Sequence, residues 1–390
     1  MNKEKVYKFK CKRLHNNYLI NVLFKLLIKI FRIQIIFIAF SLIADHSPDQ
    51  TGAYPLSGLT HDIMHPSPPS IKSNHVNRSL TSGIESPYVW IGYVVPSDRT
   101  VIQQRIDALQ YVFQLGQWFY QDQMELNGFG SKTFLYETEP DGITPKIEII
   151  HLSETAAALW GHDEYDQWYN VLDALENAGI QAWKSGIVRF LANETCIQNT
   201  NGSIEGGIAL GGSFGSAASP GIAMFGCAEL AMIGPQLLID ESPYDGIIRQ
   251  EVGPYPMDHG TTFHPGHGYT FSELCSSFIG GMMHELGHAF GILTHTYRYQ
   301  VVNQEALMGT GYIYTRGNFR PDLFYLEYTR LSYGSALILN SSHYFNRDLQ
   351  ITGNPIVSAE ILNDGIPVNG HRQIKFTASD PDGLGAAILQ

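Results

Sequence analysis

Apolar residues recur along this chain with two different periods, and each change of period marks a new element. Tyr88 to Val95 is a β-rich apolar run of strand length. Ile102, Ile106, Leu109, Val112, Phe113 and Trp118 then repeat at helical spacing and predict a long amphipathic helix. Strand-like runs follow at residues 133–138 and 147–152, a second helix is expected around 168–175, and a further strand over 187–191. Strands and helices therefore alternate through the first half of the ordered chain, which predicts a mixed α/β (α+β) sheet fold with long helices.

A later helix is bounded by chemistry as well as by period. Thr270-Phe271-Ser272-Glu273 has the S/T-x-x-E form of a capping box, and Gly291 supplies a stop, so the helix covers residues 271–290. Leu274, Phe278, Met282, Met283, Leu286 and Phe290 give it the apolar content of a central, buried helix. Gly280 and Gly281 each weaken a helix by about 1 kcal/mol relative to Ala, so another backbone is expected to pack closely there. Residues 331–340 read as a closing helix. A new unit begins near Pro355, and the alternation in 357–361 and 374–377 is that of the opening strands of an immunoglobulin- or cadherin-like β-sandwich, with too few residues left to close one.

The first 86 residues read differently. Nine basic residues and Glu4 precede residue 33, followed by an apolar run from Ile33 to Ala44; residues 1–44 read as a secretory signal peptide or an uncleaved signal anchor. Residues 45–86 are rich in Ser, His and Asn without apolar periodicity and read as a linker or pro-segment. Without the leader, 16 basic residues stand against 36 acidic ones, about −20. That balance lacks the basic footprint of a nucleic-acid binder and fits a secreted or cell-surface protein that touches a membrane only through the leader. Outside the leader, cysteine is confined to Cys196, Cys227 and Cys275. A Cys196–Cys227 bridge is one possibility in an oxidising compartment. Asn193-Glu194-Thr195 and Asn201-Gly202-Ser203 match the glycosylation acceptor pattern.

Candidate chemistry is concentrated in twelve residues from His284 to His295. His284 and His288 lie four apart on the predicted helix, so both imidazoles project from one face and reach one ion. Glu285 stands beside the first histidine, where a carboxylate takes a proton from a water activated by the metal. Gly291 permits the left-handed turn that swings the chain back, and His295 follows on that return. Upstream, 206–212 is Gly-rich and reads either as an edge strand able to pair with an extended peptide or as a loop with no recognition role. It is no phosphate loop, because G-x-x-x-x-G-K-[ST] is absent. His259, His264 and His267 crowd a Pro/Gly-rich insertion and read as solvated loop histidines, as Asp240 and Glu241 read as a charged loop start.

The stretch resembles the metzincin clan of zinc metalloendopeptidases, whose signature is H-E-x-x-H-x-x-G-x-x-H followed by a methionine turn. The departure is one residue: Thr294 occupies the third-histidine position and His295 arrives one later, which an irregular loop after Gly291 can absorb. The resemblance implies a zincin-like fold with an irregular lower subdomain over residues 87–350, zinc held by His284, His288 and His295, and Glu285 as general base. It implies a methionine turn at 306–312 with Met308 as the hydrophobic floor of the site, and a protein or peptide substrate. Tyr312, four residues past Met308, falls outside the implied ligand set. If His295 fails as third ligand, Glu305 or Glu327 becomes the first candidate.

The block from Val94-Val95-Pro96-Ser97-Asp98-Arg99 to Gly128-Phe129-Gly130 and Thr133-Phe134 also resembles an uncharacterised group of secreted metzincin-like peptidases, so the resemblance covers about residues 88–346. Two other classes are compatible with these residues. A catalytically inactive surface adhesin would keep the fold and lose the metal; a zinc-stabilised scaffold would bind metal without turnover.

Overall fold

A computed structural model describes residues 88–195, 197–198, 204–205, 208–213, 220–243, 270–293, 304–349, 356–361 and 374–379 of the 390-residue protein. The leader, the linker, Cys196, Gly206 and Gly207, the Asn201 acceptor site, His259, His264, His267, Thr294 and His295 lie outside the described residues, as do the side chains of Cys227 and Glu305.

The first strand, β1 (Tyr88–Val95), becomes the interior of a five-stranded sheet ordered β2-β1-β3-β7-β6. Its neighbours are β2 (Glu148–His151) and β3 (Ile187–Asn193), both parallel to it, and β7 (Gly221–Gly226) continues the parallel set. Last comes β6 (Ala209–Ser213), antiparallel to β7 and terminal in the sheet, while β4 (Ile197–Gln198) and β5 (Ile204–Glu205) form a small separate hairpin. Helices cover both faces, as parallel strands require. Because strand side chains alternate, Val89, Ile91, Tyr93 and Val95 point to one face and pack with helix α1 (Gln103–Leu126). Val94 points to the other, with Leu191, Ile222 and Met224, against helices α2 (Ala156–Trp160) and α3 (Glu164–Asn177). The structure is thus a mixed α/β sheet with helices on both sides.

Three expectations from the sequence need correction. Residues 133–138 form no strand: Tyr136 and Thr138 make only isolated bridges, to Val89 and Pro145. Packing explains this, because Phe134 and Tyr136 insert into a cluster of rings with Phe113, and Phe134 also meets Tyr120 and Phe290, so ring contacts rather than a ladder hold the segment. The Asn193 acceptor pattern is closed. Asn193 and Thr195 have no exposed surface, and Gln167 and the Thr195 hydroxyl both donate to the Asn193 carbonyl oxygen. Glu241 is also more than a charged loop start, since its carboxylate lies 2.8 Å from the buried Arg316 guanidinium.

After a single helical turn at Cys227–Leu230, labelled α4, the chain reaches α5 (Phe271–Ala289), which lies on the α1 face of the sheet. Both halves of its capping box form: Thr270 accepts from the Glu273 amide at 3.2 Å, and Glu273 accepts from the Thr270 amide at 2.9 Å. Strands β8 (Gln304–Ala306) and β9 (Tyr328–Arg330) pair in parallel, with helix α6 (Thr315–Phe319) between them in sequence and α7 (Tyr333–Asn340) following. In the C-terminal stretch, β10 (Ile356–Ile361) and β11 (Ile374–Ser379) form an antiparallel pair; no sandwich is present among the described residues. Nor, among them, is any helix long and apolar enough to cross a membrane.

The two glycines of α5 have different reasons for being there. A Cβ on Gly280 would sit 1.7 Å from the Tyr312 carbonyl oxygen, whereas one on Gly281 would meet only the Phe225 ring at 3.4 Å. Gly280→Ala is therefore expected to destabilise by about 1–2 kcal/mol, the helix-propensity gain of about 1 kcal/mol falling short of the overpacking cost. Gly281→Ala should be neutral or stabilising by up to about 1 kcal/mol. Urea denaturation of both variants checks the pair, and equal effects would contradict the packing argument.

Candidate metal centre

The site begins with a stripe of small and polar residues on an otherwise apolar helix. Ser272, Ser276, Gly280, His284 and His288 recur every four residues along α5, and so share one face. The segment from Leu307 to Arg316 runs along that face. Ser276 donates to the Ile313 carbonyl at 2.7 Å, and Thr315 donates to the Ser276 carbonyl at 2.7 Å. Gly280 receives the Tyr312 backbone, and near Gly287 the Met308 sulfur lies 2.6 Å from where a Cβ would stand. Met308 is buried there, against the helix turn between the two histidines.

Both imidazoles are buried, His284 at 5% and His288 at 8% exposure. The Nδ1 of His284 lies 2.7 Å from the Leu307 carbonyl oxygen, and the Nδ1 of His288 lies 2.6 Å from the Ile292 carbonyl oxygen. A carbonyl only accepts, so each Nδ1 carries a proton, and in a neutral ring that makes Nε2 the acceptor. Those two Nε2 atoms face each other at 3.1 Å. With Nδ1 protonated in both neutral rings, both Nε2 atoms are acceptors, and a cation between them would be bound by both. A tetrahedral zinc bound at about 2.0–2.1 Å from each nitrogen would hold them roughly 3.3 Å apart, so the pair is already close to a ligating geometry. Backbone carbonyls that orient the ring through its far nitrogen are the usual second layer of a histidine–metal site.

Gly291 explains how the second of these carbonyls arrives. Its φ of 103° lies in the left-handed region, and it ends the helix so that the Ile292 amide bonds back to the Gly287 carbonyl at 3.1 Å. That turn places the Ile292 oxygen on His288. His295, three residues further on, is outside the described residues. Among those described, no group of three or more His, Cys, Asp or Glu side chains could hold a metal ion.

Glu285 points away from the stripe and toward the sheet edge. A Cβ on Gly211 would meet the Glu285 carbonyl oxygen at 2.1 Å and the His288 Cβ at 2.9 Å, so β6 lies directly on this turn of the helix. Of the Gly-rich run, then, the part from Ala209 onward is strand, and it is the terminal strand. Burial pushes the Glu285 carboxyl up to about 8 in the absence of a cation, with the nearby Glu164 charge adding to the rise and the Gly211 amide opposing it. Glu164 is buried in the first turn of α3 and had no signal in the sequence, since only the folded sheet brings it near Glu285.

Tyr312 stands nearer than expected: its ring meets the His284 ring edge-on, with centroids 5.6 Å apart. Its place four residues past Met308 gave no reason to include it. Glu327 is engaged by Arg316 through both of its carboxylate oxygens, at 2.7 and 2.6 Å.

The tautomer assignment is directly measurable. In metal-free protein, imidazole ¹⁵N shifts should place the proton of both His284 and His288 on Nδ1 at neutral pH; an Nε2–H form of either ring would overturn the lone-pair geometry.

No family model matches the chain, and no curated protein matches it. Solved structures similar to it include catalytically inactive OgpA from Akkermansia muciniphila in complex with an O-glycopeptide (glycodrosocin) substrate, at 16% identity and a TM-score of 0.40. Wild-type OgpA from the same organism, in two crystal forms, is similar at 15% and 16% identity with a TM-score of 0.41. Each comparison covers 74% of this chain and 70% of the other.

Proposed function

We propose that the protein is a zinc-dependent endopeptidase, secreted by way of its leader, that hydrolyses peptide bonds at the edge of its sheet. The observation that carries this reading is the convergence of His284 Nε2 and His288 Nε2 at 3.1 Å on a helix whose intervening Glu285 carboxyl meets the Gly211 amide of strand β6. His284, His288 and His295 would hold the ion. When bound, zinc supplies a Lewis acid that lowers the pKa of water and polarises a carbonyl oxygen.

The chain's own residues do the rest. Leu307 and Ile292 lock the imidazoles in the ligating tautomer. Glu285 accepts the proton of the attacking water and delivers it to the leaving amine, which requires its carboxylate form. Cation charge beside it opposes the rise that burial imposes, and so favours that form. An extended peptide added along β6 would use main-chain hydrogen bonds, which accommodate many side chains and bring a scissile carbonyl alongside Glu285. Met308 fills the floor behind the pair.

Purified protein is expected to carry close to one zinc per chain and to lose casein or gelatin cleavage in chelator. Glu285→Ala should keep the zinc and lose about 10²–10⁴-fold in activity, the range for a missing general base. Zinc without turnover in the parent would instead favour the scaffold reading, and metal-free parent protein the adhesin. The third ligand has its own test: His295→Ala should weaken zinc binding sharply while Thr294→Ala leaves it nearly unchanged. Undiminished affinity in His295→Ala would remove His295 from the ligand set.

A further inference from the structure

Arg316 is 4% exposed and gathers more partners than any ordinary ion pair needs. Its guanidinium forks onto Glu327, through Nε to Oε2 at 2.7 Å and through a terminal nitrogen to Oε1 at 2.6 Å. The other terminal nitrogen donates to Glu241 at 2.8 Å and to the Ser272 hydroxyl at 3.1 Å, while Glu273 of the capping box lies 3.7 Å away. The group also stacks over the Phe324 ring at 4.3 Å.

Where these bonds fall along α5 matters more than their number. The Leu307–Arg316 segment meets the helix at two kinds of place. Near the candidate centre, apart from the Leu307–His284 hydrogen bond whose length is at issue, the contacts are smooth: a backbone on Gly280 and a thioether against Gly287. Contacts of that kind hold two surfaces together without fixing how far one slides along the other. Direction comes from the opposite end, where Ser276 bonds the Ile313 carbonyl and the Arg316 amide, and Arg316 bonds Ser272. Ser272 is twelve residues before His284, about 18 Å along the axis. Glu327 adds a second path, because β9 begins next to it and β9 supplies the Arg330 carbonyl that holds the Leu307 amide at 2.7 Å. Both paths end at Leu307, whose carbonyl sets the tautomer of His284.

We propose that Arg316 is a positioning residue for the metal centre. Its planar fork sets the axial register of the Leu307–Arg316 segment on α5, and thereby the distance from the Leu307 oxygen to His284 Nδ1. The inference rests on the zinc reading given above. Lysine carries the charge but cannot fork, so the geometry predicts that it fails here.

The test measures zinc affinity by chelator competition on the full chain, alongside urea stability and the His284 Nδ1–H signal of the metal-free form. Arg316→Lys should weaken zinc binding about tenfold or more, the range for loss of an outer-layer partner, and should broaden or lose that signal. Glu241→Gln, which removes one partner that is 56% exposed in its side chain, should do the same to a smaller degree without unfolding the protein. Lys132→Met serves as the control: it breaks the Lys132–Asn340 bond of 2.7 Å, away from this segment, and should lower stability while leaving affinity unchanged. Parental zinc affinity in folded Arg316→Lys and Glu241→Gln overturns the proposal. So does an equal loss in Lys132→Met, which would make the effect one of general stability. Parent protein that binds no zinc removes the metal reading itself, a separate outcome read from the parent alone.

Discussion

The candidate centre depends on how one segment is seated on α5, with the Tyr312 carbonyl admitted by Gly280 and the register set by hydrogen bonds from Ser276 and Arg316. A helix as apolar as α5 would bury itself against almost any hydrophobic surface, and burial alone specifies no register. Packing of this kind is worth about 25 cal/mol per Å² and has no direction. The stripe of Ser272, Ser276 and Gly280 converts it into a defined fit, since two hydroxyls demand acceptors and one missing side chain admits a chain. His284 and His288 continue the same stripe. Their environment therefore comes from the same contact that seats the helix.

The far side of the helix obeys a similar rule. Gly221 would carry a Cβ 1.9 Å from the Ala289 carbonyl oxygen, and Gly211 one 2.1 Å from that of Glu285, so the last two strands approach α5 more closely than any side chain would permit. Strand β7 went unrecognised in the sequence for that reason: Gly-Ile-Ala-Met-Phe-Gly is short and glycine-bounded, and its buried partners lie on other strands and helices. Its small residues are the condition for a helix to lie against it.

What could be read from the sequence was whatever is encoded locally. The capping box at Thr270 and Glu273, the helical period from Ile106 to Trp118 and the run from Tyr88 to Val95 each have their cause within a few residues, and they appear as expected. His284 and His288 lie within bonding reach of each other because four-residue spacing on a helix admits little else. The Leu307 carbonyl that fixes the His284 ring, the approach of Tyr312, the crowding by Glu164 and the burial of Asn193 all arise between distant segments, and a single sequence carries no local sign of them. A partial sign did exist in the every-fourth-residue stripe, which interrupts an apolar helix with small and polar positions. Periodicity searches for apolar residues pass over a pattern of that sort, although it marks where another chain will lie.

The hydrogen bond from His284 to the Leu307 carbonyl spans 23 residues, and the strand that holds Leu307 in place is later still, at Tyr328–Arg330. Proteins are made from the N-terminus, and a domain generally folds as a unit once its segments are available. The helix with both histidines and Glu285 is therefore complete well before the carbonyl that organises the first imidazole exists outside the ribosome. A growing chain passes through a stage in which its motif is fully spelled but its rings are free to take either tautomer. Maturation of the centre is in this sense a late event of synthesis, set by the chain length at which β9 is available to pair with β8.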